Sequence, residues 1–224
     1  MSDQRLYLLA TAGVSFGLVE EAEALGMVLD GLTFIDTEFV PFEIGDIGDR
    51  AVVFTSVKAV EAAGKFLGRV RIYCISGATA AAVAEIFGEE AIVGKADTAA
   101  DLAKLVRQGD KGKIVFFCGD RRRDELPSIL REAGLEVMEK VVYRTQLTPH
   151  RVERSYDGIA FFSPSGVESF FTANMPAVTV PLFAIGGTTA AAIRMRCQNT
   201  VVVSERPDKE GLVRIMMDHF LNKR

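Results

Sequence analysis

The chain has no tryptophan, two histidines and three cysteines in 224 residues. His150 and His219 stand far apart in charged or loop-like surroundings, so a histidine-based triad or metal site has almost no material. Cys74, Cys118 and Cys197 are an odd number, widely spaced and outside any CxxC pair, which argues against zinc and thiol redox chemistry and for buried free thiols. No apolar stretch approaches the ~18 residues of a membrane span, and the apolar run in MSDQRLYLLATAG is too brief for the core of a signal peptide. The expectation is a cytoplasmic protein. Basic residues are not in excess, with 26 Lys and Arg against 30 Asp and Glu and a net charge of −4, so neither nucleic acid nor a membrane surface is an expected partner. The signatures GxxxxGK[ST], GxGxxG and GxSxG are all missing, which removes the usual support for nucleotide or acyl-enzyme chemistry.

What is present is an ordinary globular balance, 49% hydrophobic and 25% charged, arranged as short apolar runs alternating with amphipathic stretches. That alternation predicts parallel sheets covered by helices. Strands are expected at Leu6–Ala10, Val52–Thr55, Ile72–Ile75, Ile114–Cys118, Ile159–Phe162, Leu182–Ile185 and Val201–Val203, with helices filling most intervals.

The chain also repeats itself. LYLLATAGVSFGLVEEAEALG lies over IVFFCGDRRRDELPSILREAG with Gly26 on Gly134, 108 positions later. VVFTSVKAVEAA lies over IAFFSPSGVESFF with Ser56 on Ser163, and CISGATAAAV over AIGGTTAAAI with Thr79 on Thr189, so two similar units make the protein. Each unit contains a threonine-rich stretch followed by proline, DGLTFIDTEFVPFEI and EKVVYRTQLTPHRV. Both read as long strands leaving one domain for another. The residues alone leave open whether the halves pack as numbered or exchange their first β-α pieces.

In open parallel sheets ligands bind at the carboxyl ends of the strands, and the five loops expected there share a composition. They read Phe54-Thr55-Ser56, Ser76-Gly77-Ala78-Thr79, Cys118-Gly119-Asp120-Arg121, Phe162-Ser163-Pro164-Ser165-Gly166 and Gly186-Gly187-Thr188-Thr189. Glycine permits close backbone approach, hydroxyls donate, and the first helical N–H groups are unsatisfied at the positive end of the dipole. Facing one cleft, such loops would hold a polyanion without a basic surface. The alternative for each loop is a plain helix N-cap. The Arg121–Arg123 cluster between Asp120 and Asp124 reads equally well as a solvated first turn, and Tyr143 in VVYRT as an ordinary strand aromatic.

FTSVKAVEAA, the GATAAAV turn, GDRRRDELPSILREAGLEVMEKVVYRT, FFSPSGVESFF, IGGTTAAAI and the final SERPDKEGLV occur in the order and spacing of uroporphyrinogen-III synthases. The chain resembles that family over about nine tenths of its length. The resemblance implies an α/β fold of two similar, flavodoxin-like parallel-sheet domains joined by two linker strands. One domain would be discontinuous, from residues 1–36 and 147–224, and the other would be residues 37–146. It also implies the enzyme's reaction, a cofactor-free closure of the linear tetrapyrrole hydroxymethylbilane to uroporphyrinogen III with inversion of ring D and loss of water. Tyr143 would donate the proton to the leaving hydroxyl, with Thr189 as a supporting donor. Thr11, Ser56, Lys58, Gly77, Thr79, Gly119, Arg121, Arg122, Ser163, Ser165, Gly187 and Thr188 would line the interdomain cleft and meet the substrate's carboxylates. Hand-over from hydroxymethylbilane synthase, a monomeric state and a place in haem biosynthesis follow from the same resemblance.

Two departures stand out. The family's first strand ends in a Thr-Arg-Pro type of turn, whereas this chain reads Ala10-Thr11-Ala12-Gly13. FTSVKAV carries Val57 and Lys58 where proline and arginine are usual, and Lys lacks the bidentate fork of Arg. The rival expectation is a non-catalytic two-lobed module that closes on some other anionic small molecule. From the scattered histidines and cysteines we predict that exhaustive chelation leaves the activity of the purified protein unchanged; loss of activity restored by one added metal would overturn this.

Overall fold

The computed structural model describes residues 5–222 apart from positions 46, 49 and 207. In chain order the elements are β1 (Leu6–Ala10), α1 (Phe16–Ala24), β2 (Met27–Gly31), β3 (Ile35–Phe39), β4 (Ala51–Phe54), α2 (Val57–Ala63), β5 (Ile72–Ile75) and α3 (Ala78–Phe87). They continue with β6 (Ile92–Ala96), α4 (Ala99–Gly109), β7 (Lys113–Gly119), α5 (Glu125–Glu132), β8 (Glu136–Leu147) and β9 (Gly158–Phe161). The last are α6 (Pro164–Ala173), β10 (Leu182–Ala184), α7 (Gly187–Arg194), β11 (Val201–Val203) and α8 (Lys209–Leu221).

The chain divides into one unit of Met1–Asp36 with Gln146–Arg224 and another of Thr37–Thr145. The first contains a sheet ordered β11-β10-β9-β1-β2, and the second a sheet ordered β3-β8-β7-β4-β5-β6. Numbering each unit's own strands in chain order, with the edge strand β3 left aside, the first sheet reads 2-1-3-4-5 and the second 3-2-1-4-5. These are circular permutations of one sheet. In each, the opening β-α-β piece of one sequence repeat (β1-α1-β2 or β7-α5-β8) lies beside the three later strands of the other repeat. Strand β1 pairs in parallel with β2 and β9, and β10 with β9 and β11. In the other sheet β4 pairs in parallel with β5 and β7, β5 with β6, and β7 with β8. The α/β reading of alternating strands and helices therefore holds.

The strands at the centre of each sheet are buried because helices cover both faces. In the second unit Val52, Phe54, Val115 and Phe117 point into one core with Val142 and α2. The alternate residues Ala51, Val53, Ile114, Phe116 and Cys118 point into the other, with Leu102, Val106 and Leu130. The first unit has the same two-sided arrangement, Leu8 and Ala10 on one face and Leu9, Ile159 and Phe161 on the other. Fully burying one phenylalanine such as Phe117, which stacks on Phe54 at 5.6 Å, is worth about 2–3 kcal/mol.

The repeat glycines have a local reason. Gly26 (φ 73°) and Gly134 (φ 84°) follow the last turns of α1 and α5. This left-handed conformation ends a helix and turns the chain into the next strand, and only glycine adopts it without strain.

Contrary to expectation, DGLTFIDTEFVPFEI is not a single long strand: Met27–Gly31 joins the sheet of the first unit and Ile35–Phe39 that of the second. Its counterpart β8 does run unbroken for 12 residues. Strand β6 has no counterpart among the strands expected from the sequence. Its residues IVGKA are only half buried at a sheet edge, and Gly94 leaves room for the Tyr73 ring, 2.7 Å from where a Cβ would stand. Glycine and lysine in so short a run hide the strand pattern.

Candidate active site

A parallel sheet changes direction of winding between the two strands that start opposite wings, and the crevice outside their carboxyl ends is the preferred ligand position. In the first unit these strands are β1 and β9, and in the second β7 and β4. The residues at and after their ends include Thr11, Ser163, Gly119 and Ser56.

In the second unit, Tyr143, Ser56 and Gly119 meet. The Tyr143 hydroxyl donates to Ser56 Oγ at 3.1 Å. Ser56 Oγ also accepts from the Ala59 amide at 3.2 Å, capping α2. A hydroxyl has two acceptor positions and one proton, so Ser56 can accept both bonds at once. The cap reading and the site reading of Ser56 are therefore compatible. Asp120 fixes the neighbouring backbone, its amide donating to the Tyr143 carbonyl (3.1 Å) and its carboxylate accepting from the Thr145 amide (3.0 Å).

The basic residues here are engaged. Lys58 pairs with Glu61 at 2.7 Å and lies 5.9 Å over the Phe39 ring. Arg122 is held by Glu139 and by Asp124, and Arg131 shares Glu139. Hydrogen bonding to Glu139 raises the Arg122 pKa further above its already high ordinary value. Arg122 therefore braces α5 against β8 instead of standing open to a carboxylate. Arg121, beside it, is exposed. Glu139 itself was not anticipated; a lone acid on a strand gives no sign in the sequence that two arginines converge on it. Burial, followed by the charge of Glu139, pushes the Cys118 thiol up to about 11, so it stays protonated and is no nucleophile.

In the first unit Ser163 Oγ caps α6 by accepting from the Gly166 amide at 3.0 Å, with Pro164 in the first turn. Ser165 is partly buried in that turn. Thr11 departs from expectation: it is 3% exposed and its hydroxyl donates to the Ala160 carbonyl at 2.9 Å. It ties β1 to β9 and has no hydroxyl proton left for a ligand.

The Gly77 and Gly187 loops repeat each other closely. Gly77 and Gly186 are the N-caps of α3 and α7, and neither helix has a side-chain cap bond at that position. The cap position thus supplies no side-chain acceptor to the first turn, where an anion is favoured. Gly77 and Ala78 are exposed in one loop and Gly187 and Thr188 in the other, while Thr79 is buried two residues after its cap and Thr189 three residues after its cap. Thr79 (6% exposed) and Thr189 (1%) are both buried. Thr188 is the exposed hydroxyl of its loop.

The sequence profile described as uroporphyrinogen-III synthase HemD matches residues 18–214. The chain belongs to the uroporphyrinogen-III synthase family. It is 24% identical over 131 residues to the uroporphyrinogen-III synthase of Saccharomyces cerevisiae, a match spanning 50% of this chain and 48% of the yeast protein, so the chain matches about half the length of that relative. A mutant uroporphyrinogen III synthase from Thermus thermophilus has a similar fold, with TM-score 0.63 and 21% identity over 98% of this chain and 100% of that one. The uroporphyrinogen-III synthetase of Helicobacter pylori gives TM-score 0.66 and 16% identity over 96% and 100%.

For a uroporphyrinogen-III synthase family member the arrangement offers backbone and hydroxyl donors at strand ends, with one tyrosine among them. Among the described residues no group of three or more His, Cys, Asp or Glu side chains is placed to hold a metal, and no helix is long and apolar enough to cross a membrane. We predict that Ser163→Ala costs about 1 kcal/mol of stability through the lost α6 cap, read as a lower denaturant midpoint with an unchanged slope. An unchanged midpoint would show that the cap contributes nothing.

Proposed function

We propose that this chain is itself a uroporphyrinogen-III synthase, closing hydroxymethylbilane to uroporphyrinogen III with inversion of ring D and release of water. The observation that carries the reading is the Tyr143 hydroxyl, hydrogen-bonded to Ser56 at the switch point of a family-member sheet. A phenol there can exchange its hydrogen bond to Ser56 for one to the departing hydroxyl and protonate it, so that it leaves as water. The azafulvene cation that results attacks the substituted carbon of ring D and passes through a spiro intermediate to the inverted ring. A flexible chain otherwise closes without inversion, so the protein's main contribution is to fix geometry and stabilise developing charge.

The first turns of α3 and α7, which lack a capping side chain, suit the substrate's carboxylates. On this reading Gly77, Gly187 and Thr188 bind through N–H and hydroxyl donors. Ser56 and Ser163 hold the helix starts beside them, Ser165 adds a hydroxyl in the first turn of α6, and Lys58 and Arg121 supply cationic charge at the rim. Thr189 and Thr79 support their first turns from beneath, and Thr11 braces the sheet. Each related protein reported above is named as a synthase or synthetase, which favours catalysis over a binding module.

We further infer that the protein works as a monomer in the cytoplasm, where Cys74, Cys118 and Cys197, all free, remain reduced. Its substrate reaches it by hand-over from hydroxymethylbilane synthase, because a linear tetrapyrrole left in solution closes to the uninverted isomer. The test is turnover of enzymatically generated hydroxymethylbilane with isomer analysis of the product. Tyr143→Phe should keep the fold but lower turnover by roughly 10- to 1000-fold, and the uninverted isomer should take a larger share. Full rate and full isomer fidelity in Tyr143→Phe would reduce the tyrosine to a packing residue.

A further inference from the structure

We propose that Gly119 is a positioning residue for Tyr143, acting together with the β-bulge opposite it. The inference rests on the reading of Tyr143 as proton donor and changes what Gly119 is for, from a contact with substrate to a seat for the catalytic ring.

Strands β7 and β8 pair in regular parallel register from Lys113 with Glu136 to Cys118 with Val141. The next step then skips one residue, and Gly119 stands opposite Tyr143 where regular pairing would have put Val142. A bulge of this kind re-aims side chains and recurs beside active sites. Its effect here is that two consecutive residues, Val142 and Tyr143, pack against the same core cluster, which unbroken alternation along a strand forbids. Val142 is fully buried and anchors the shift. Tyr143 is carried over the end of β7 to the Ser56 loop.

The ring then occupies the place a side chain at 119 would take. A Cβ on Gly119 would lie 2.5 Å from Tyr143 Cε2 and Cζ and 2.8 Å from its hydroxyl oxygen. Gly119 has no positive φ, so its backbone would accept alanine; the aromatic ring is what excludes it. The atoms a methyl group would strike are at the hydroxyl end, so any side chain at 119 moves the phenol away from Ser56. Displacement of a reacting group by about an ångström can cost on the order of 10²-fold in rate.

The experiment compares wild type, Gly119→Ala, Tyr143→Phe and the double variant for kcat, KM and product isomer on enzymatically generated hydroxymethylbilane. Gly119→Ala should lower kcat by on the order of 10²-fold with KM nearly unchanged and more uninverted product. In the Tyr143→Phe background the same change should cost almost nothing further, since the hydroxyl it displaces is already gone. Multiplying losses, or a raised KM at unchanged kcat, would make Gly119 a substrate contact and overturn the proposal.

Melting supplies the arm that does not depend on turnover. Gly119→Ala should lower the melting temperature, and Gly119→Ala combined with Tyr143→Ala, which removes the ring, should show no further cost from the alanine at 119. An equal cost with the ring absent would sink the proposal. A wild-type protein that melts as described but never forms uroporphyrinogen III would instead sink the functional reading, and with it the catalytic sense of the positioning.

Discussion

A parallel strand can be followed by another only after a crossover, and when that crossover is a helix, the helix starts where the strand ends. Every helix N-terminus of such a wing therefore gathers on one edge of the sheet, with its unsatisfied N–H groups and the positive end of its dipole. In this chain the constraint operates in both units. It puts Ser56, Gly77, Gly119, Ser163, Gly186 and Thr188 at strand carboxyl ends, and it gives a protein of net charge −4 positions that favour an anion without a basic surface.

The opposite edge of the second unit's sheet shows the complementary chemistry. Arg50, Arg69, Arg71, Lys111 and Lys113 all stand just before or at the start of β4, β5 and β7, around two depressions of about 920 and 400 Å³. Cations there lie near helix C-termini, where the dipole favours them. Arg71 is committed to Asp110 at the C-cap of α4, with bonds of 3.0 and 2.6 Å, and Tyr73 donates to the same carboxylate at 2.8 Å. Burial and that hydrogen bond push the Tyr73 phenol up to about 12. These five cations thus stand on the edge away from the candidate site.

Much of this was legible beforehand because it rests on patterns the backbone imposes. Strands buried on both faces must be continuously apolar, and KIVFFC and AVVF are largely so. The two left-handed glycines after α1 and α5 sit at matching repeat positions, and the serine and glycine caps follow strand ends. What was not legible depends on pairings between distant residues. Nothing near Thr11 announces that its hydroxyl will reach Ala160, or near Arg122 that Glu139 will hold it. The bulge at Gly119 depends on the register of two strands and leaves no local signature. The burial of Thr79 and Thr189 follows from which side of the first helical turn faces the sheet, and a two-residue motif does not specify this.

On the proposed function, the strand carboxyl ends hold the tetrapyrrole without a basic surface. The most direct measurement is the change in backbone amide NMR shifts on titrating uroporphyrinogen III, kept reduced, into the labelled protein. The largest changes are expected at residues 77–80, 119–124, 163–166 and 187–190. Changes concentrated instead on the basic depression around Arg50, Arg69 and Arg71, with these loops unmoved, would contradict this reading.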